Sequence, residues 1–154
     1  MQEKSKMDLI REFIETCPLL KNGKVNVDYI KDRPQSYSID ETPSTTIIKE
    51  YKDGETKNQI LFDFSIQANF SVLENIKNSK FCDDFFKWIK EQDNKENLPD
   101  IEGICWIKCL GRGTILQTTE TTAIYVIPMQ VVYDEEAFWG LFFKRRNKKC
   151  QKKN

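Results

Sequence analysis

Asp53-Gly54 stands between two runs of strand-forming residues, and this juxtaposition limits the chain more than any other feature of it. Glycine accepts the positive φ that tight hairpin turns require, so Lys52-Asp53-Gly54-Glu55 reads as a turn. Thr45-Thr46-Ile47-Ile48 and Tyr51 precede it, and Ile60-Leu61-Phe62-Asp63-Phe64-Ser65-Ile66 follows it. Ile60, Phe62, Phe64 and Ile66 are two apart and share one face of a pleated strand, whereas Leu61, Asp63, Ser65 and Gln67 share the other. One face is apolar and one mostly polar, which predicts a sheet covered on a single side.

The cover is legible on either side of that hairpin. Phe81, Cys82, Phe85, Phe86 and Ile89 form an apolar stripe at helical spacing, with Trp88 at its margin, and Ser79 supplies a start signal. Ser71 and Glu74 have the form of a capping box and predict a separate short helical turn. Near the amino terminus, Ile10, Phe13, Ile14 and Cys17 line one face of a helix within residues 7–20 that Pro18 ends. Val25, Val27 and Tyr29 alternate as a short strand, and Tyr37-Ser38-Ile39 is a brief one stopped before Pro43.

After the long helix and a polar linker, residues 104–110 read as a strand. Residues 111–120 then read as a hairpin loop opened by Gly111-Arg112-Gly113, with some strand character at 114–116. Residues 122–133 form a long closing strand in which Pro128, lacking an N–H, predicts an edge position or a bulge. The fold class expected is α+β, a mostly antiparallel sheet of about four to five strands with two main helices packed on it.

Several kinds of chemistry lack their usual residues. There is no histidine, hence neither the commonest general base nor the commonest metal ligand near neutral pH. The five cysteines form no paired CxxC, and Cys105 and Cys109, four apart in a strand, would lie about 13 Å apart, too far to share one zinc ion. Reduced, buried thiols are expected. The adjacent carboxylates Asp83-Asp84, Glu135-Glu136 and Asp40-Glu41 read as solvated surface, and Gly111-Arg112-Gly113 is followed by no GK[ST] phosphate loop. No catalytic residue, metal or cofactor is expected.

At 154 residues the chain fits one domain, and 39% hydrophobic with 31% charged residues marks it as globular. No apolar run is long enough for a membrane span and no signal-peptide core is present, so synthesis in the cytosol is expected. Net charge is zero but unevenly placed. Residues 144–154 hold seven of the 24 Lys and Arg and no acid, which leaves residues 1–143 with 17 basic against 24 acidic groups. An acidic body disfavours wrapping of DNA, whereas the basic end is able to touch nucleic acid, a membrane surface or an acidic neighbour. The organisation expected is an α+β domain over 1–135 and an aromatic, then basic extension over 136–154, with Phe138, Trp139 and Phe142 as docking candidates.

The order of residues Tyr37-Ser38-Ile39, Pro43, Ile48, Lys49, Tyr51, Asp53-Gly54, Phe62-Asp63-Phe64, Phe85, Trp88-Ile89, Glu91-Gln92, Leu98-Pro99, Cys109, Thr122-Ala123 and Tyr133 resembles a known family. It is that of the small tail-terminator, or tail-completion, proteins of tailed bacteriophages and prophages, often labelled minor capsid proteins. The likeness runs over about residues 7–135, and the end of the chain departs from the family's usual short ending.

The resemblance implies a non-enzymatic protein without cofactor that caps the head-proximal end of a tail tube, stops its growth and forms the tail-side joint to the head. It further implies a hexameric ring whose channel lets DNA pass without sequence-specific binding. Its partners would be copies of itself, the tail tube protein and a head-completion or neck connector protein, in the host cytoplasm during assembly and then in the virion tail or neck. The interface candidates are Lys52, Asp53, Gly54 and Glu55 at one turn, Gly111, Arg112 and Gly113 at the other, and the three aromatics of the extension. The alternatives are a neck connector or head-tail stopper, a metal-dependent hydrolase using carboxylates, and a membrane-associated adaptor acting through residues 138–149, although a membrane partner is not expected.

Overall fold

The structure is a computed structural model in which residues 3–20, 24–27, 36–69 and 72–136 are described. Helix α1 is Lys6–Glu15. The Ser5 hydroxyl caps it by accepting the Asp8 backbone N–H at 3.1 Å. Its buried face is Ile10, Phe13 and Ile14, as the spacing predicts. The helix ends at Glu15 rather than Pro18, because the Thr16 hydroxyl donates to the Phe13 carbonyl and the backbone turns there. Glu15 then receives Arg11 at 3.0 Å and the backbone N–H of Val25 at 3.1 Å, which ties α1 to strand β1, Val25–Val27.

The sheet repeats one plan twice. Strand β4, Thr56–Asn69, runs unbroken for 14 residues, and the arm leading into it is interrupted: β2, Ser36–Thr42, pairs with residues 61–67, and β3, Ile47–Glu50, with residues 56–58. Strand β7, Thr122–Glu135, is likewise unbroken. Its leading arm is split into β5, Ile104–Cys109, paired with residues 129–133, and β6, Thr114–Thr118, paired with residues 123–126. β4 and β7 pair antiparallel along their whole length. The order is β1-β2-β4-β7-β5, with β3 added to β4 and β6 to β7, and β1 joins β2 in parallel.

The α+β class, the mostly antiparallel sheet and the two helices agree with the sequence. The strand number does not: among the described residues there are seven, because each leading arm breaks in two where the chain leaves its partner and returns.

Helix α2 is continuous from Val72 to Asn94, so the predicted second start at Ser79 lies inside it. It lies across the sheet face carrying Ile60, Phe62, Phe64 and Ile66 with Tyr125, Ile127, Met129 and Val131, all buried. Phe81, Phe85 and Trp88 form the seam, and Phe13 brings α1 onto Trp88 at 5.2 Å between ring centroids. Each such aromatic contributes roughly 1.5 to 3 kcal/mol by burial, so this layer carries much of the fold.

Two expectations about the sheet are corrected. Pro128 is neither at an edge nor in a bulge, since β7 is the central partner of β4, β5 and β6. Its carbonyl faces outward and accepts Leu110 N–H at 2.7 Å, at the gap between β5 and β6, so the donor it lacks faces no ladder partner. The single covered side also fails at one end. Ser36, Ser38, Ser65 and Gln67 belong to the face away from the helices yet are buried, and Ser38 Oγ has no hydrogen-bond partner among the described residues.

Candidate functional site

The sequence-predicted interface residues separate into three places. Lys52, Asp53, Gly54 and Glu55 close the β3–β4 hairpin as expected. Tyr51 N–H donates to the Glu55 carbonyl at 2.8 Å and Gly54 N–H to the Tyr51 carbonyl at 2.9 Å, with Gly54 at φ 87°. This is a three-residue loop with glycine in the left-handed position. The Asp53 carboxylate accepts Glu55 N–H at 3.1 Å and braces it.

Gly111, Arg112 and Gly113 are not a hairpin tip. They form the break between β5 and β6, about halfway along β7, and the tip of that second hairpin is at residues 119–121, where Thr119 N–H donates to the Thr122 carbonyl at 2.8 Å. The break lies against α2. A Cβ on Gly113 would stand 2.6 Å from Cys82 Sγ and 3.3 Å from Ile127, a close approach that only glycine permits without movement. Phe138, Trp139 and Phe142 lie outside the described residues, as does residue 137 onward of the predicted extension.

Between α2 and the break is a cleft of about 380 Å³ lined by Cys82, Asp83, Phe86, Lys87, Ile127 and the three residues of the break. Its floor is apolar and its rim carries two cations and one acid. None of Asp83, Lys87 and Arg112 enters an ion pair among the described residues.

Burial, with the charge of Asp83 adding to it, pushes the Cys82 thiol up to about 11. Burial and then the nearby Cys82 push Cys109 up to about 12. Both thiols therefore hold their protons at neutral pH and are weak nucleophiles. Cys17, Cys82 and Cys109 are free, as the sequence predicts, whereas Cys105 departs from the expectation in being disulfide-bonded.

On the opposite face a second cluster forms that no sequence pattern announces. Lys57 pairs with Asp134 at 2.9 Å and stands 5.4 Å from the centre of the Trp106 ring, which Lys108 also approaches at 5.7 Å. The register across β4, β7 and β5 brings these together, Lys57 and Asp134 from 77 residues apart, so only the strand order reveals them.

Sequence reasoning also missed three bulges, one each in β3, β5 and β6; in β5 the pairing steps from Ile104 opposite Tyr133 to Trp106 opposite Val132, which leaves Cys105 as the extra residue. Pairing steps from Ile47 opposite Asn58 to Lys49 opposite Lys57, which leaves Ile48 as the extra residue of β3. It steps from Ile115 opposite Tyr125 to Gln117 opposite Ile124, which leaves Leu116 as the extra residue of β6. The successive apolar pairs Ile47-Ile48 and Ile115-Leu116 break strict alternation and are a trace that the sequence offers. No protein-family model matches the chain, and no curated protein matches it.

Proposed function

We propose that the chain is a structural tail terminator: it caps the head-proximal end of a phage tail tube, halts tube polymerisation and forms the tail-side joint to the head or neck. It acts by fitting surfaces, without making or breaking covalent bonds. The observation that carries this is the back-to-back arrangement of two hairpins on β4 and β7, whose tips at residues 52–54 and 119–121 lie at opposite ends of one sheet. Strands of 14 residues are about 45 Å long at the usual strand rise, so one rigid body offers a contact at each end. That is what a part standing between a tube below and a connector above needs, and loops at such tips are where docking residues gather.

The resemblance of the residue order to the tail-terminator family supports the same function, as do the raised thiols and the lack of histidine, which leave little for catalysis. In the proposed assembly, copies form a hexameric ring around the channel that DNA traverses. The acidic balance of residues 1–143 lets DNA slide by repelling its phosphates wherever those residues face the lumen.

The test is polymerisation of the cognate tail tube protein with and without the purified chain, followed by electron microscopy. Shorter tubes bearing one extra ring at a single end are expected. Tubes of unchanged length with bare ends, or repeated turnover of any substrate by the clean protein, would overturn the proposal.

A further inference from the structure

We propose that the acidic last turn of each helix guards a free edge of the sheet: Asp93 of α2 covers β5 and Glu15 of α1 covers β1, so that neither end of the sheet takes a strand from another copy of the chain. These guards belong to the fold and operate whether or not the chain caps a tube.

Among the described residues β1 and β5 close the two ends of the strand order, each with a neighbouring strand on one side only. Such an edge offers unpaired backbone groups to any other chain. On β5 the Ile107 N–H faces away from β7 and donates to Asp93 Oδ1 at 3.2 Å. On β1 the Val25 N–H donates to Glu15 Oε1 at 3.1 Å. Both capped residues are buried. The acceptor is the last residue of α1 in one case and the last but one of α2 in the other, so the two contacts follow one plan.

Neither last turn holds a basic residue. The C-terminal end of a helix carries partial negative charge and favours cations, so a carboxylate there is set against the dipole. The edge donors account for both placements, and Arg11 steadies Glu15 by donating to the same oxygen at 3.0 Å. A buried N–H left without an acceptor is costly, which is one part of what each carboxylate relieves. The other part is its charge, which stands on the edge where the carbonyl groups of an incoming strand would have to lie.

Little regular edge remains beside each cap. In β5 the bulge at Cys105 and the break at Gly111 leave residues 106–109 in register with β7. Leu110 N–H points inward to the Pro128 carbonyl, so alternation turns the N–H groups of Ile107 and Cys109 outward. β1 has three residues, of which Val25 and Val27 face outward by the same alternation. One carboxylate therefore occupies one of two outward donors at each edge. Side-chain docking and loop contacts stay open to the molecule, whereas strand addition at the two ends of its sheet is closed.

The test is amide hydrogen exchange at Ile107, read by NMR beside sedimentation velocity, on the full chain and its Asp93→Ala variant over a concentration series. In the parent the Ile107 amide should be protected equally at every concentration. In dilute Asp93→Ala it should exchange about tenfold faster or more, as loss of a hydrogen bond to a charged group implies. At high concentration the variant should regain that protection while its mass grows beyond the parent's, because a second copy's strand then supplies the acceptor. Asp93→Asn, whose amide oxygen still accepts, should stay close to the parent, and Asp93→Ser, too short to reach the amide, is the second variant if alanine is not tolerated. Fast exchange at every concentration with parental mass, growth in mass without renewed protection of Ile107, an Asp93→Asn variant that associates like Asp93→Ala, or failure of both shortened variants to fold would each overturn the guard and leave Asp93 a stability cap alone. The same readings at Val25 in Glu15→Ala test β1, and failure there overturns the guard at that edge. Tube capping enters neither reading, so the terminator function stands or falls separately.

Discussion

Phe85 of α2 lies on Phe64 of β4 with ring centroids 4.6 Å apart and planes tilted by 35°. Both side chains are fully buried, and Phe85 also approaches Phe81 and Trp88, so one ring joins the helix to the centre of the sheet. Phe85→Ala should therefore lower stability by about 3 to 5 kcal/mol, the range for deleting a buried aromatic. Phe86, one residue on and 39% exposed, is the control, and Phe86→Ala should move the urea midpoint far less. Equal losses at the two positions would show that α2 does not pack as described.

Gly113 and Gly111 make a second internal comparison. The space for a Cβ at Gly113 is taken by Cys82 Sγ at 2.6 Å, whereas at Gly111 the nearest atom is a Pro128 side-chain carbon at an ordinary 3.6 Å. Neither residue has a positive φ, so the difference is one of space and not of backbone strain. Gly113→Ala is expected to destabilise by about 1 to 3 kcal/mol through overpacking, and Gly111→Ala to stay within about 0.5 kcal/mol of the parent. Removing the sulfur in Gly113→Ala/Cys82→Ala should cost less than the sum of the single changes, a coupling that denaturation of all four proteins measures.

Much of this architecture was legible because local chemistry and tertiary packing agree. The alternation through Phe62 and Phe64 named the buried face, Asp53-Gly54 named the turn, and the stripe through Phe85 and Ile89 named the helix that covers the sheet. Where they part, the cause lies in pairing. Pro128 argues locally for an edge, yet it lies in a central strand because its carbonyl side faces the gap at Leu110. Gly111 and Gly113 resemble a hairpin turn in sequence, but they form the break between β5 and β6, and it is Gly113 that gives a close approach to Cys82 of α2. Gly103 carried no signal at all. Its φ of 76° and a hypothetical Cβ only 2.2 Å from the Asp134 carbonyl oxygen make glycine necessary, through a neighbour 31 residues away that no local pattern contains.

Asp63 offers a pH test on the other face of the same strand. It stands directly opposite Asp40 in the β2–β4 register, and partial burial raises its carboxyl above the usual 3.8. A carboxyl with a raised folded-state pKa gives its full stability below the unfolded value, where it is neutral in both states. That contribution is lost as pH rises through the folded value, because ionisation is harder in the fold than in the unfolded chain. Asp63→Asn should accordingly be more stable than the parent at neutral pH. Partial burial sets the sign of the gain, which should be small because solvent screens this partly exposed site. The gain should shrink as pH falls past the carboxylate range and vanish once Asp63 is protonated. Urea denaturation of both proteins along a pH series reads this directly; an advantage of the variant that grows in acid, or a parent more stable at neutral pH, would show that ionised Asp63 is stabilised where it sits.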